Sequence, residues 1–294
     1  MEPTVKGSHT PPTSLASALQ AAQQHSHYLR NLLAGRPEIA PWLDAHAARA
    51  LGVEQMKDFL DGETASGASS ASGAGDDDHL KRALRGLRQR VMATLVVRDI
   101  GGLATLAEVV ESMTLLAEVS TNRALDFHHR QLREQFGEPL DSHGQPQRLL
   151  VIGMGKLGGR ELNVSSDVDY IFIYPEDGQT GGDGRRIDNY DFFQRLGKRL
   201  ISTLGELTAD GQVFRVDMRL RPNGDSGPLV CSLDSLEHYL ITQGREWERY
   251  AWIKARVLNQ GENLQPAWVV ALQNICRPFV FRKYLDFGAI NAMR

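Results

Sequence analysis

Cysteine is almost absent from this chain: Cys231 and Cys276 are the only two in 294 residues. They lie far apart, without the paired spacing of a zinc site or a disulfide framework, which suits a reducing compartment. Any metal chemistry must therefore use oxygen ligands. An excess of positive charge is also missing, since 33 Lys and Arg face 36 Asp and Glu for a formal charge of -3. Without a global positive field to hold a polyanion, no nucleic-acid partner is expected, and a nucleotide must be held locally. No apolar run approaches the ~18 residues of a membrane span. The first residues, MEPTVKGSHTPPTSL, lack the basic-then-apolar pattern of a secretory signal. The expectation is a cytoplasmic protein with no membrane contact, long enough for about two domains.

Residues up to about Gln135 read as helical. Leu106, Val109, Val110, Met113, Leu116 and Ala117 recur at helical spacing and predict one apolar stripe. Within this region GETASGASSASGAGDDD, about 62–78, is small, polar and then acidic, and has little to bury against the entropy of ordering. It reads as a flexible insertion, either a plain linker or a regulatory docking strip. The turn-rich DSHGQPQ at 141–147 marks a change of period and a domain boundary at about 145. Strands are expected at 149–152, 167–174 and 213–220. Between the last two, Phe192, Phe193, Leu196, Leu200, Ile201 and Leu204 share a helical face behind a cap at Asp188. Helices return after Asp234, with Leu236, Tyr239 and Leu240, then Trp247, Tyr250, Ala251 and Lys254, at helical spacing. The last residues, DFGAINAMR, enter a helix with no stop signal, so the chain is expected to continue.

The chemistry concentrates in carboxylates. In SSDVDYIFIY, strand alternation puts Asp167 and Asp169 on one face, about 7 Å apart. In VFRVDMRLR, Phe214, Val216, Met218 and Leu220 alternate with Arg215, Asp217, Arg219 and Arg221. If these strands are neighbours with polar faces aligned, Asp167, Asp169 and Asp217 form an oxygen-rich nest suited to magnesium. One or two Mg2+ ions there would serve in-line displacement at phosphorus. The bland alternative is that the acids face solvent or pair with Arg219 and Arg221. For those arginines the functional alternative is a guanidinium fork on phosphate oxygens.

GMGKLGG at 153–159 contains Gly-x-Gly-x-x-Gly after an apolar strand, which is also a dinucleotide-binding fingerprint. Only RELNVSS then precedes Asp167, too short for the crossover helix that fold requires, so hydride transfer is disfavoured. Two readings stay open. Gly155 and Gly158 let backbone N–H groups approach a phosphate with Lys156 as a point charge, or they serve a tight turn alone.

Taken together, GMGKLGGRELNVSSDVDYIFIY, VFRVDMRLRPNGDSGPLV and GREWERYAWIKAR resemble the glutamine synthetase adenylyltransferase and adenylyl-removing family. The resemblance is specific from about Leu149 to Arg256 and weaker before it, where LRQRVMATLVVRDIGG also looks similar; the SGASSASG stretch does not. It implies an α+β fold: a helical region over 1–145, a polymerase-beta-type nucleotidyltransferase domain with a small mixed sheet over 146–260, and the start of a C-terminal helical region over 261–294. It implies the first of that family's two transferase copies, which removes AMP from a tyrosine of glutamine synthetase by phosphorolysis, giving ADP. Asp167, Asp169 and Asp217 match the metal-binding carboxylates. Gly155-Lys156 stands where the wider superfamily has Gly-Ser, and Ser166 is a second phosphate donor. Arg219 and Arg221 are expected to hold the attacking phosphate. Arg245, Arg249, Lys254 and Arg256 are candidates for nucleotide or substrate contact, while Trp247, Tyr250 and Trp252 are expected to pack. Glutamine synthetase and the nitrogen-regulatory PII protein are the implied partners. An ATP-dependent adenylyltransferase and a silent nucleotide- or PII-binding module are the alternatives. Physics alone does not separate forward from reverse transfer, and the intact carboxylates argue against a silent site.

Overall fold

The computed structural model describes residues 14–67, 73–182, 184–261 and 264–281. Helices come first: α1 (Leu15–His25), α2 (His27–Gly35), α3 (Ile39–His46), α4 (Val53–Gly67), α5 (Gly73–Ile100) and α6 (Leu106–Phe136). The starts of α1, α2 and α6 are set by short hydroxyl side chains. Ser14, Ser26 and Thr105 accept from Ser17 N, Leu29 N and Glu108 N, satisfying N–H groups that a first turn leaves unpaired. Along α6, Met113, Leu116 and Ala117 are fully buried, whereas Leu106 is 77% exposed. The predicted stripe therefore begins one turn later, because the first turn of α6 projects beyond the core.

The expectation of a flexible insertion is corrected at both of its flanks. α4 continues to Gly67 and α5 starts at Gly73, so both flanks of 62–78 are helical, and 68–72 lie outside the described residues. Cross-helix contacts give the reason. His79 Nε2 lies 2.9 Å from Glu63 O, and Gln131 Nε2 donates to Asp77 at 3.1 Å. Asp76 sits in the first turn of α5, where the helix dipole favours negative charge.

After α6 come β1 (Glu138–Pro139), β2 (Leu150–Gly153), α7 (Gly155–Gly158), β3 (Val168–Tyr174), β4 (Thr180–Gly181), α8 (Asn189–Gly205), β5 (Val216–Asp217), β6 (Val230–Ser232), α9 (Leu233–Thr242), α10 (Glu246–Ile253), β7 (Arg256–Val257) and α11 (Pro266–Val280). The fold is α+β with a small mixed sheet, as expected. β1 and β4 pair separately, and the main sheet runs β5-β3-β2-β7 with β6 also on β3. β2 is antiparallel to β3 and β7, and β3 is parallel to β5 and β6.

Strand alternation divides the sheet's side chains between two cores. Val151, Val168, Tyr170, Phe172 and Tyr174 pack with α4, α5, α6 and α8, while Leu150, Ile152, Ile171 and Ile173 pack with α9, α10 and α11. The sheet is thus a middle layer, and each fully buried aliphatic or aromatic side chain contributes about 1.5–3 kcal/mol. A third cluster joins α1, α2 and α3 to Ala93 and Val97 of α5. Asp141 accepts from the N–H groups of His143 and Gln145, turning the chain between α6 and β2. The core crosses that turn, since Leu132 and Phe136 share a cluster with Phe192 and Tyr170.

α8 buries Phe192, Phe193, Leu196, Leu200 and Leu204 as predicted, with Ile201 partly buried. Asp188 occupies the N-cap position but makes no side-chain cap bond and accepts from Gln179 instead. In α10 only Trp252 packs inward as expected; Trp247 and Tyr250 are about half exposed. The inward position is taken by Glu248, 3% exposed, which accepts from Tyr239 Oη and Arg245 N at 2.7 Å each.

Candidate active site

Every residue of β3 is buried except Asp169, which is partly exposed at the start of the strand. Its register partner across the parallel pair with β5 is Asp217, as Val168 is that of Val216. Asp167 directly precedes β3, and Val168 N donates to Arg215 O at 3.0 Å, extending the pairing toward it. The sequence expectation that two neighbouring strands bring these acids to one place is met at this level. Burial, then the charges of Asp217 and Asp167, push the Asp169 carboxyl up to about 6, while Arg219 and Lys156 pull it down. Among the described residues none donates a hydrogen bond to that carboxylate.

The other two acids have partners. Arg215 Nε reaches Asp167 Oδ1 at 2.5 Å, a pairing that sequence reasoning missed because it set the acids against Arg219 and Arg221. Asp217 accepts from Arg219 N at 2.8 Å and from Arg219 Nε at 2.8 Å. That guanidinium holds the Asp217 carboxyl below the usual carboxylate range. Among the described residues no three His, Cys, Asp or Glu side chains are drawn into a closed metal cluster. The donor set still fits magnesium: it is all oxygen, and at its centre is a desolvated carboxylate with no donor and two like charges beside it.

The strand expected over 213–220 is only Val216–Asp217. The Asp217 side chain capturing Arg219 N curls the backbone, an Asx-type turn. Pro222, then Asn223 and Gly224 in left-handed conformations, continue the reversal. Arg221 consequently leaves the shared face. Its Nη1 donates to Met218 O at 2.8 Å and lies 3.4 Å from Asp225, so it braces the loop instead of lining the carboxylates. Pro-Asn-Gly was the signal in the sequence that the strand ends early. Arg219, 74% exposed, stays at the site.

The glycine-rich turn follows β2 directly. Gly155 has φ +53, and a Cβ there would lie 3.4 Å from Asp169 Oδ2, so this backbone runs beside the central carboxylate. Met154 N donates to Asp169 O at 2.9 Å, fastening the turn to β3. Lys156 Nζ lies 3.5 Å from Ser166 Oγ, bringing two predicted phosphate donors together. Gly158 has a different role. A Cβ there would meet Lys254 O at 1.8 Å and Gly153 O at 2.4 Å, so glycine is required for close backbone packing and not for phosphate approach. The basic residues of 244–256 make contacts within the fold. Lys254 pairs with Glu161, Arg249 with Glu246, and Arg256 donates to the Leu157 and Gly158 carbonyls, while Arg245 N donates to Glu248 and the Arg245 side chain makes no cap bond.

A cavity of about 850 Å³ lies between α4, α5, α6 and the segment after β7, and holds none of the three acids. The candidate site lies where the start of β3 meets β5. Among the described residues no helix is long and apolar enough to cross a membrane.

Residues 17–268 match the sequence model of a family described as glutamate-ammonia ligase adenylyltransferase. Similar proteins include the bifunctional glutamine synthetase adenylyltransferase/adenylyl-removing enzymes of Aromatoleum aromaticum, 54% identical over 97% of this chain and 29% of the relative, and Burkholderia mallei, 50% identical over 92% and 29%. That of Chromobacterium violaceum is 48% identical over 96% of this chain and 30% of its own. The chain spans under a third of the length of these relatives.

Proposed function

The chain belongs to the glutamate-ammonia ligase adenylyltransferase family, and from that premise we propose that it is a cytoplasmic, magnesium-dependent nucleotidyltransferase removing AMP from an adenylylated tyrosine of glutamine synthetase. Phosphate is the acceptor and ADP the product. The observation that carries this reading is the register pairing of Asp169 with Asp217, with Asp167 within electrostatic reach. The three carboxylates would hold Mg2+, which when bound supplies charge neutralisation for the phosphoryl oxygens and the departing phenolate.

The remaining work falls to the chain's own groups. Inorganic phosphate is partly dianionic at neutral pH, so its attack needs positioning more than a strong base. An oxygen of phosphate bonds to the AMP phosphorus, the bond from phosphorus to the tyrosine oxygen breaks, and the phenolate, whose conjugate acid has a pKa near 10, takes a proton from water. Lys156 and the Ser166 hydroxyl hold phosphoryl oxygens, and Gly155 lets the backbone come close. Arg219 exchanges its bond to Asp217 for the incoming phosphate, placing positive charge where negative charge gathers. A PII-type protein is the proposed regulator.

ADP release from adenylylated glutamine synthetase, measured with and without phosphate, tests the reading. Release that ignores phosphate rules out phosphorolysis, and equal activity in Asp169→Asn dismisses the site. The relatives' names carry both directions, so transfer of AMP from ATP is the second reading, distinguished by labelling of unmodified glutamine synthetase.

A further inference from the structure

The glycine-rich turn is held in place from outside its own sequence. Arg256 Nε donates to Gly158 O and its Nη2 to Leu157 O, both at 3.1 Å. The same guanidinium lies 2.6 Å from Glu118 Oε1, on α6. Glu118 is 16% exposed, and its Oε1 also lies 3.3 Å from Nη1 of Arg160. Arg160 immediately follows the turn and has φ 57, a left-handed conformation uncommon for a residue with a Cβ. Its guanidinium is further engaged by Glu111, two turns before Glu118 on the same side of α6. Asn122, one turn later, donates to Leu258 O at 3.3 Å, just past β7. One face of α6 therefore grips both the exit of the glycine turn and the strand behind it.

We propose that Glu118 is a positioning residue for phosphoryl transfer: it fixes the Gly155–Gly159 turn, and with it Lys156, against Asp169. This rests on the reading of that turn as the phosphate cradle. The physical reason is the sharing of one carboxylate oxygen by two guanidinium groups. Glu118 bridges Arg160 and Arg256, so removing its charge leaves Arg160 to Glu111 alone and the two guanidinium groups facing each other with one carboxylate fewer across a partly buried seam. Arg160, the more exposed of the two, is drawn toward Glu111, loosening the turn it terminates. Arg256 is then left bonding the turn carbonyls without its counter-charge. Glu118 itself touches none of the three candidate metal carboxylates, so the effect is indirect.

Two readouts on the full chain test this. Amide hydrogen exchange in Glu118→Gln is expected to show about tenfold faster exchange at residues 155–160, with the remainder of α6 unchanged. That factor matches the loss of about one charge-assisted hydrogen bond. Phosphate titration of ADP release is expected to show KM raised about tenfold with kcat within about twofold, and Glu118→Asp, which keeps the charge, to recover part of both. Unchanged exchange in the turn overturns the proposal. So does faster exchange spread evenly over α6 and the sheet, since Glu118 would then serve only the fold. If the wild-type chain releases no ADP, the adenylyl-removing reading fails, and exchange in the turn still decides the role of Glu118.

Discussion

Replacing Asp169 by Asn should make the metal-free protein more stable while destroying its activity. The folded state holds this carboxyl at about 6 against an ordinary 3.8, chiefly through burial and then through Asp217 and Asp167. The sign follows from proton binding. Between 3.8 and 6 the folded state retains a proton that the unfolded state has lost, so stability falls as pH rises through that window and the full penalty stands above it. At about 1.4 kcal/mol per pH unit the penalty is about 3 kcal/mol. Solvent screening at a partly exposed strand end reduces it to about 1–2 kcal/mol. Asn removes the charge, keeps the shape and adds an N–H donor between two acceptors. Urea denaturation at pH 7.5 in EDTA should therefore show Asp169→Asn more stable than wild type by about 1–2 kcal/mol. Millimolar magnesium should then stabilise only the wild type, and AMP removal should fall at least about a hundredfold in the variant. A variant less stable than wild type in EDTA, or equal stabilisation of both by magnesium, would refute the placement of Asp169 among uncompensated like charges.

Gly158→Ala must separate α7 from the Lys254 carbonyl, which a Cβ would approach to 1.8 Å; a cost of about 3 kcal/mol in melting experiments is expected, and an unchanged midpoint contradicts the packing. Arg85 is 1% exposed and donates to the carbonyls of Lys81, Thr203 and Gly211, tying α5 to the end of α8. Arg85→Met, which removes these buried charge-assisted bonds, should cost about 3–5 kcal/mol by urea denaturation, and a loss under about 1 kcal/mol would show that water replaces the guanidinium. Burial first, and Arg148 next, lower His129 to about 3; it is neutral in the fold, so its 3.5 Å approach to Glu138 is not an ion pair near neutral pH. Because the unfolded state binds a proton below about 6.5 and the folded state does not, stability should drop as pH falls from 6.5 toward 3, by up to about 1.4 kcal/mol per pH unit. Urea midpoints of His129→Gln should lack that slope, and parallel curves for variant and wild type would exclude His129 as its source.

Much of the site was legible because it depends on local periodicity. Strand alternation put Asp167 and Asp169 together, and the short RELNVSS connection ruled out a crossover helix before β3. Phe192 through Leu204 fell on one face because a helix repeats every 3.6 residues whatever it packs against. Where a local reading failed, a side chain had captured backbone or charge. Asp217 bonding Arg219 N ended β5 and sent Arg221 into the loop. Glu248 took the buried side of α10 that Trp247 and Tyr250 were expected to fill.

The chain's own order of residues thus singled out the carboxylates proposed to carry the chemistry and indicated the α+β fold, since both follow from spacings of a few residues. Only the tertiary structure decided that β3 and β5 run parallel with Asp169 opposite Asp217, that Arg215 partners Asp167, and that Glu118 on α6 holds the glycine turn through Arg160 and Arg256. Those pairings join residues 42 to 138 positions apart, and at such separations charge and register are fixed by how layers pack, which no local pattern encodes.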